Sequence, residues 1–306
     1  MKLRIGTRAS ALALAQAGAV AQALRAHGTE AELVAMRTEG DRREEARLAE
    51  IGGKGLFVRE IEEALLAGRV DVAVHSLKDL PAELPAGLTL AGFPPREDPR
   101  DILVTRAPGG GLAGLPAGAT VGTSSLRRKA LLLAARPDLS VEPLRGNVDT
   151  RLRKLDEGHC AAVVLAAAGL ARLGLSPACA QALEPEEFVP AVGQGILALE
   201  ARDDDRAVLD ALQALDHGPT RACAVAERAY LRRLGASCNT PLGGHAMLEY
   251  ASLRMIGVVA SEDGRQVLRD GVTGALEDAE DLGRWLAEAL LAQGAAEVTA
   301  LRANLR

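Results

Sequence analysis

ATVGTSSLRRKALLLAARPDLSVEPLRGNVDTRLRKLDEGHCAAVVLAAAG, residues 119–169, alternates short apolar stretches with helical ones. ATVGTSS is a buried strand that runs out into small polar residues. A helix follows to about Ala135, SVEPL is a second strand, Asn147 opens a second helix, and CAAVVLAAAG is an apolar third strand. Strands and helices in this alternation build an open α/β sheet whose ligands sit at strand ends.

The same stretch is strongly basic. Between Val121 and Lys154 lie Arg127, Arg128, Lys129, Arg136, Arg145, Arg151, Arg153 and Lys154, against Asp138, Glu142 and Asp149, in a chain of formal net charge −5. Arginine dominates, and its planar fork suits carboxylate or phosphate. A solvated helix face would explain charge alone. Placement favours a site: Ser124 or Ser125 caps a helix whose first turn holds Arg127 and Arg128. Cations at a helix start are unfavourable to the helix, so an anion there is the natural compensation. The chain is expected to handle a multiply charged acid.

Working outward, LRIGT is a strand before a helix from about Ser10 to Ala26, and AELVAMR (31–37) is the next strand. GLFVREIEEALLAG (55–68) is a helix with Phe57, Ile61 and Leu65 on one face, and VDVAVHS is a buried strand. FPPREDPRD (93–101) reads as a linker, after which DILVT restarts the pattern. IGTRAS and VGTSSL, at the strand–helix junctions of the two halves, look like one device used twice. Beyond PAVGQGILALEARDDD come two helical stretches, to about Leu215 and from Thr220 to Leu234. AMLEY, SLRMIGVVAS and QVLRDGVTG then read as antiparallel strands, with SEDGR turning between the last two, and a helix over roughly 279–292 closes the domain. Two α/β lobes and a small α+β third domain are expected.

Composition narrows the function. The 306 residues allow two or three cores. Only 2% are aromatic, and the net charge is negative, which disfavours nucleic acid: single-strand binders need stacking faces and duplex binders a positive field. The longest apolar run, Cys160 to Ala171, is too short to span a bilayer. Lys2, Arg4 and Arg8 before an Ala/Leu-rich stretch imitate a signal peptide, but Gln16 and Gln22 interrupt it, so a cytoplasmic chain is expected. Cysteines 160, 179, 223 and 238 have no metal spacing. Cys160 and Cys223 read as core. Cys238 lies in GASCNTPLGG, an open loop where a thiol can react or simply idle.

DVAVHSLKDLP ends its strand with His75, Ser76, Lys78, Asp79 and Pro81. Asp79 beside Lys78 suits an acid/base pair; it equally suits a proline-terminated turn. His75 reads as a structural hydrogen-bond partner. GGKGLF (52–57) is a glycine loop carrying Lys54, while Arg145, Arg151 and Arg172 extend the basic strand-end set. A non-catalytic, two-lobed carboxylate receptor would use the same alternation and the same arginines.

IGTRASALALAQ, GGKGLFVREIEEAL, DVAVHSLKDLP, REDPRD, VGTSSLRR, LRGNVDTRL, AAAGLARLGL and PAVGQG occur in this order, and together with the Cys238 loop they resemble the porphobilinogen deaminase (hydroxymethylbilane synthase) family. The resemblance implies two doubly wound lobes of the type II periplasmic-binding-protein kind, residues 1–97 with 195–214 and residues 101–190. A C-terminal domain, residues 218–306, would carry a three-stranded antiparallel sheet. It implies a transferase that condenses four porphobilinogen molecules, releasing ammonia, to hydroxymethylbilane for tetrapyrrole synthesis, primed by a dipyrromethane cofactor in thioether bond to Cys238. Asp79 matches the family's catalytic aspartate, which stabilises cationic azafulvene and pyrrolenine species, with Lys78 beside it. Ser76, Lys78, Asp79, Ser125, Arg127 and Arg128 match cofactor-holding positions. Arg8, Ser10, Gln16, Arg145, Arg151, Arg172 and Gln194 match the substrate side, and Lys54 and Phe57 a mobile loop. A monomer without metal, nucleic acid or membrane is implied. Two positions depart from the family pattern: Glu50 stands where lysine is common, and Ala11 where proline is frequent.

Overall fold

The computed structural model describes residues 1–36, 58–236 and 240–299. The chain parts into two compact units, residues 1–96 with 196–224 and residues 97–195 with 225–306. Both boundaries of the middle segment fall where the sequence turns to proline and glycine, within FPPREDPRD and PAVGQG.

In the first unit, β1 (Lys2–Arg8), β2 (Glu30–Met36), β3 (Val72–Ser76), β4 (Leu88–Gly92) and β10 (Leu197–Arg202) form one sheet in the order β2-β1-β3-β10-β4. β1 runs parallel to β2 and β3, while β10 is antiparallel to both its neighbours. Both faces are covered. Leu3, Ile5, Val72, Val74 and Leu199 meet Ala17, Val20 and Leu24 of helix α1 (Ala11–Ala26) and Leu212 of a later helix (Arg206–Gln213). Ala73 and Leu88 meet Ile61, Ala64 and Leu65 of α2 (Arg59–Leu66) on the other face. Strands buried on both faces need no polar alternation, which is why VDVAVHS reads as a continuous apolar run.

Under α2 lies a small charged core. His75 Nε2 is 3.0 Å from Glu200 Oε2, both side chains buried, and Glu62 points into the same layer. Burial pushes the Glu62 carboxyl up to about 7; the Glu200 charge adds to this and His75 partly offsets it. The folded pKa therefore exceeds the unfolded value of 4.5, so the contribution to stability is complete below about 4.5 and lost as pH rises through about 7. Glu62→Gln should flatten the decline in melting temperature between pH 5 and 8, and at pH 8 should be the more stable protein by about 1–3 kcal/mol. Parallel melting curves for the two proteins across that range would contradict it.

The second unit repeats the plan. β5 (Asp101–Thr105), β6 (Thr120–Gly122), β7 (Ser140–Glu142), β8 (Ala162–Ala166) and β9 (Ala180–Leu183) lie in the order β7-β6-β8-β5-β9, with β6 parallel to β7 and β8, and β5 antiparallel to β8 and β9. The sense of each pairing matches its counterpart in the first sheet. Helix α3 (Leu126–Ala135) covers one face through Leu131 and Leu132, and α4 (Val148–Asp156) with α5 (Ala167–Arg172) covers the other through Leu155 and Leu170. The same unit contains the three-stranded antiparallel sheet β11 (Leu242–Glu249), β12 (Ser252–Ala260) and β13 (Val267–Ala275), backed by a helix over Ala279–Ala292. Val258 of that sheet joins the core of Leu103, Val121 and Val164. Its SEDGR turn rests on α3: Gly264 has φ +71°, and a Cβ there would stand 2.5 Å from Ala130 O and 2.6 Å from Ala134 N. Only glycine meets both demands.

One sequence expectation is corrected. CAAVVLAAAG is not a single strand: the extended part stops at Ala166 and Ala167–Arg172 is helical. The β-branched valines favour the strand, and the alanines after them favour a helix.

Candidate active site residues

In the first unit the relevant residues cluster at the carboxyl ends of the adjacent parallel strands β1 and β3. β1 ends at Arg8, which is half-buried. Ser10 then caps α1, its side chain accepting from Ala13 N at 3.4 Å, so the helix starts without the proline that Ala11 replaces. Gln16, one turn later and buried, donates from Nε2 to Ser76 Oγ at 2.9 Å. That bond joins a residue expected on the substrate side to one expected on the cofactor side. Beyond Ser76 the chain makes a single 3₁₀ turn, Leu77–Asp79. Leu77 is buried and its N–H donates to Ile196 O at 3.0 Å, and Leu80 N donates to Leu77 O at 3.1 Å. The turn is thereby fixed at both ends, with Lys78 half-buried and Asp79 exposed. Among the described residues no side chain is paired with the Asp79 carboxylate. An unneutralised carboxylate on a fixed turn can stabilise positive charge in a bound ligand.

In the second unit β6 leads into α3, and Ser125 is the cap, accepting from Arg128 N at 3.4 Å. Arg127 and Arg128 turn inward: both are buried, and both meet Asp101, which has no exposed surface. Arg128 donates to Asp101 Oδ1 from Nε at 3.0 Å and Nη2 at 2.7 Å, and to Val164 O from Nη1 at 2.8 Å. Arg127 lies over the Phe188 ring, donates from Nη1 to Val189 O at 2.8 Å, and brings the same nitrogen within 2.8 Å of Asp101 Oδ2. Gln194, also buried, donates to Pro99 O at 2.7 Å and to Asp101 Oδ1 at 3.1 Å. Burial alone would push the Asp101 carboxyl up, but the Arg127 and Arg128 charges outweigh it and hold it well below the usual carboxylate range. Part of the anion that a cationic helix start requires is thus internal. Two guanidinium groups against one carboxylate still leave a net positive charge, and Arg127 Nε is buried without a hydrogen-bond partner among the described residues.

The other arginines lie nearby in sequence but in different settings. Arg145 is half-buried in the loop after β7, and its carbonyl accepts from Lys154 Nζ at 3.2 Å. Arg151 folds back from α4 to Gly146 O at 2.8 Å. Arg172, at the end of α5, donates to Gly195 O at 2.8 Å; burial lowers its pKa and Glu97 partly offsets that. Lys54, Phe57, Glu50 and Cys238 lie outside the described residues. Asp101 is the residue that sequence reasoning passed over. Its signal was available: an aspartate at the head of an otherwise apolar strand, DILVT, must find a buried cation.

Two family models match the chain: "Porphobilinogen deaminase, dipyromethane cofactor binding domain" over residues 3–210 and "Porphobilinogen deaminase, C-terminal domain" over residues 221–292. A porphobilinogen deaminase of Pelobacter propionicus is 50% identical over 295 residues, covering 96% of this chain and 94% of that protein. One from a Roseiflexus species is 53% identical over 294 residues, covering 95% and 96%. One from Brevibacillus brevis is 48% identical over 308 residues, covering 99% of each. Among solved structures, a nutrient binding protein from Burkholderia cenocepacia bound to methionine aligns with 70% of this chain and 91% of its own, at 15% identity and TM-score 0.44.

Proposed function

This chain belongs to the porphobilinogen deaminase family, enzymes of tetrapyrrole biosynthesis, and we propose that it joins four porphobilinogen units head to tail, with loss of one ammonia per unit, and releases hydroxymethylbilane by hydrolysis. Each join forms a carbon–carbon bond between an aminomethyl carbon and a free pyrrole α-carbon, and the amine leaves as ammonia with the displaced proton.

The observation that carries this reading is the buried Asp101–Arg127–Arg128 cluster, whose surplus positive charge and unpartnered Arg127 Nε suit a carboxylate-bearing ligand. Dipyrromethane, the cofactor of the matching domain, carries acetate and propionate groups and, when bound, supplies the pyrrole α-position to which the first unit is joined. Cys238 would hold it by thioether, with Ser76 and Lys78 at one strand end and Ser125, Arg127 and Arg128 at another receiving its carboxylates. Asp79 would face the pyrrole N–H groups and stabilise the positive charge that builds as the amine departs, with Lys78 beside it in sequence. Arg8, Ser10, Gln16, Arg145, Arg151, Arg172 and Gln194 would hold the carboxylates of substrate and growing chain, with Lys54 and Phe57 from the glycine loop. A third domain over residues 218–306, a monomeric state and a cytoplasmic location belong to the same proposal. No helix among the described residues is long and apolar enough to cross a membrane.

Intact mass after a brief exposure to porphobilinogen tests this division. The unmodified sequence should show a ladder of one to three added pyrrole units and should release ammonia. Arg127→Leu or Arg128→Leu should yield mostly cofactor-free protein, because removing one partner from a buried ion pair costs about 3–5 kcal/mol and strands the other charge. Arg145→Leu or Arg172→Leu should load cofactor and then stall with partial chains. Equal mass profiles for both sets would refute the division of roles; no ladder and no ammonia from the unmodified sequence would refute the function.

A further inference from the structure

Two arginines side by side in a protein interior repel each other and need a common counter-charge to stay where they are. Asp101 is that counter-charge, and it also fixes direction. Its Oδ1 accepts from Arg128 Nε, Arg128 Nη2 and Gln194 Nε2. The third Arg128 nitrogen is held by Val164 O, so this guanidinium is bound at every nitrogen. The second carboxylate oxygen pairs with Arg127, 2.8 Å from its Nη1. Arg127 is therefore steered by charge, backed by Phe188 and Val189 O, and left with Nε unpartnered. The two arginines differ in consequence: Arg128 is locked, and Arg127 retains a donor.

We propose that Asp101 is a positioning residue for the carboxylate-binding site: it holds the Arg127 and Arg128 guanidinium groups in place before the cofactor arrives and leaves one positive charge for a cofactor carboxylate. This rests on the proposed function of the two arginines. Groups already ordered lose less entropy on binding, so the cluster should raise the affinity of the lobe for its cofactor beyond what two mobile arginines could give. Gln194, through its bond to the same oxygen, would act with Asp101 in this positioning.

A matched control exists in the first unit. Asp71 also stands between two arginines, at 2.7 Å from Arg4 Nη2 and 3.5 Å from Arg202 Nη2, but away from the strand-end residues assigned above. Asp101→Asn and Asp71→Asn should be purified, checked for folding by circular dichroism, and weighed intact. Asp101→Asn should carry cofactor on at most a tenth as many folded molecules as the unmodified sequence, while Asp71→Asn should be fully loaded even where its melting temperature has fallen as far. Full loading of folded Asp101→Asn, or loading that tracks melting temperature equally in both, would overturn the proposal. If Asp101→Asn does not fold, Asp101→Glu decides, because it keeps the charge and displaces the carboxylate by one methylene. Folded Asp101→Glu with loading down fivefold or more supports positioning, and full loading overturns it. Failure of both Asp101 variants to fold would overturn it as well, making Asp101 a residue of the fold alone. An unloaded parent protein would instead refute the cofactor reading on which the proposal rests.

Discussion

Cys238→Ala should fold, weigh what its sequence weighs, and catalyse nothing. The parent protein should exceed its sequence mass by two pyrrole units. The expectation follows from the sequence around the thiol: the residues beside Cys238, GASCNTP, are small and turn-forming and predict no apolar packing role for it. Cys160 and Cys223, by contrast, are buried among side chains. Burial pushes the Cys160 thiol up and so keeps it unreactive. A cysteine without a packing role can be replaced at little cost in stability, so loss of activity in Cys238→Ala would report lost attachment. Mass spectrometry and a turnover assay on the same preparation check both halves. A parent protein of unmodified mass and full activity would exclude a thioether cofactor altogether.

Asp79→Asn should separate binding from chemistry. The exposed side chain is held on a 3₁₀ turn pinned by Leu77, so exchanging a carboxylate for an amide of the same shape should leave the fold and the cofactor mass intact. Only the negative charge is lost, and it matters most where the departing amine leaves positive charge behind. Removing one preorganised electrostatic group of this kind lowers kcat by about 10²–10³, or about 2.7–4 kcal/mol. Single-turnover and steady-state rates should fall by that order while KM for porphobilinogen changes far less. A near-parental kcat would remove Asp79 from the chemistry and leave it a turn residue.

The helices and the strands with periodic or β-branched sequences were legible from sequence. The helix over Ala279–Ala292, α1 with its Ser10 cap, and the strands β12 and β13 stand where their patterns put them. β11 starts at Leu242, four residues ahead of AMLEY and inside the stretch read as the cysteine loop. β10 and β9 were not legible. LALEAR and AQAL contain no β-branched residue and are built from good helix formers; they are strands because neighbouring strands supply their hydrogen bonds, and a local sequence carries no record of its partners. The site divides in the same way. Strand-end placement of Arg127, Arg128, Ser76 and Asp79 could be read from the ends of apolar runs. That both arginines bend inward to one carboxylate could not, because Asp101 precedes them by more than twenty residues and the pairing exists only once β5 lies beside β8.

The order in which the strands are joined has a consequence for the nascent polypeptide. All five strands of the second sheet lie within residues 97–195, whereas the first sheet lacks its fourth member until Leu197–Arg202 has been made. Among the described residues β4 pairs only with β10, and until that strand is made β3 has no neighbour on that side. At about 5–20 residues per second, the intervening stretch of roughly a hundred residues delays completion by on the order of 5–20 s. The later-encoded sheet therefore has all its strands before the earlier one does, although the unit around it also takes in residues 225–306. A ribosome that halts anywhere before Leu197 releases a chain whose earliest-made lobe is still unfinished, with an edge open to chaperones or to another such chain.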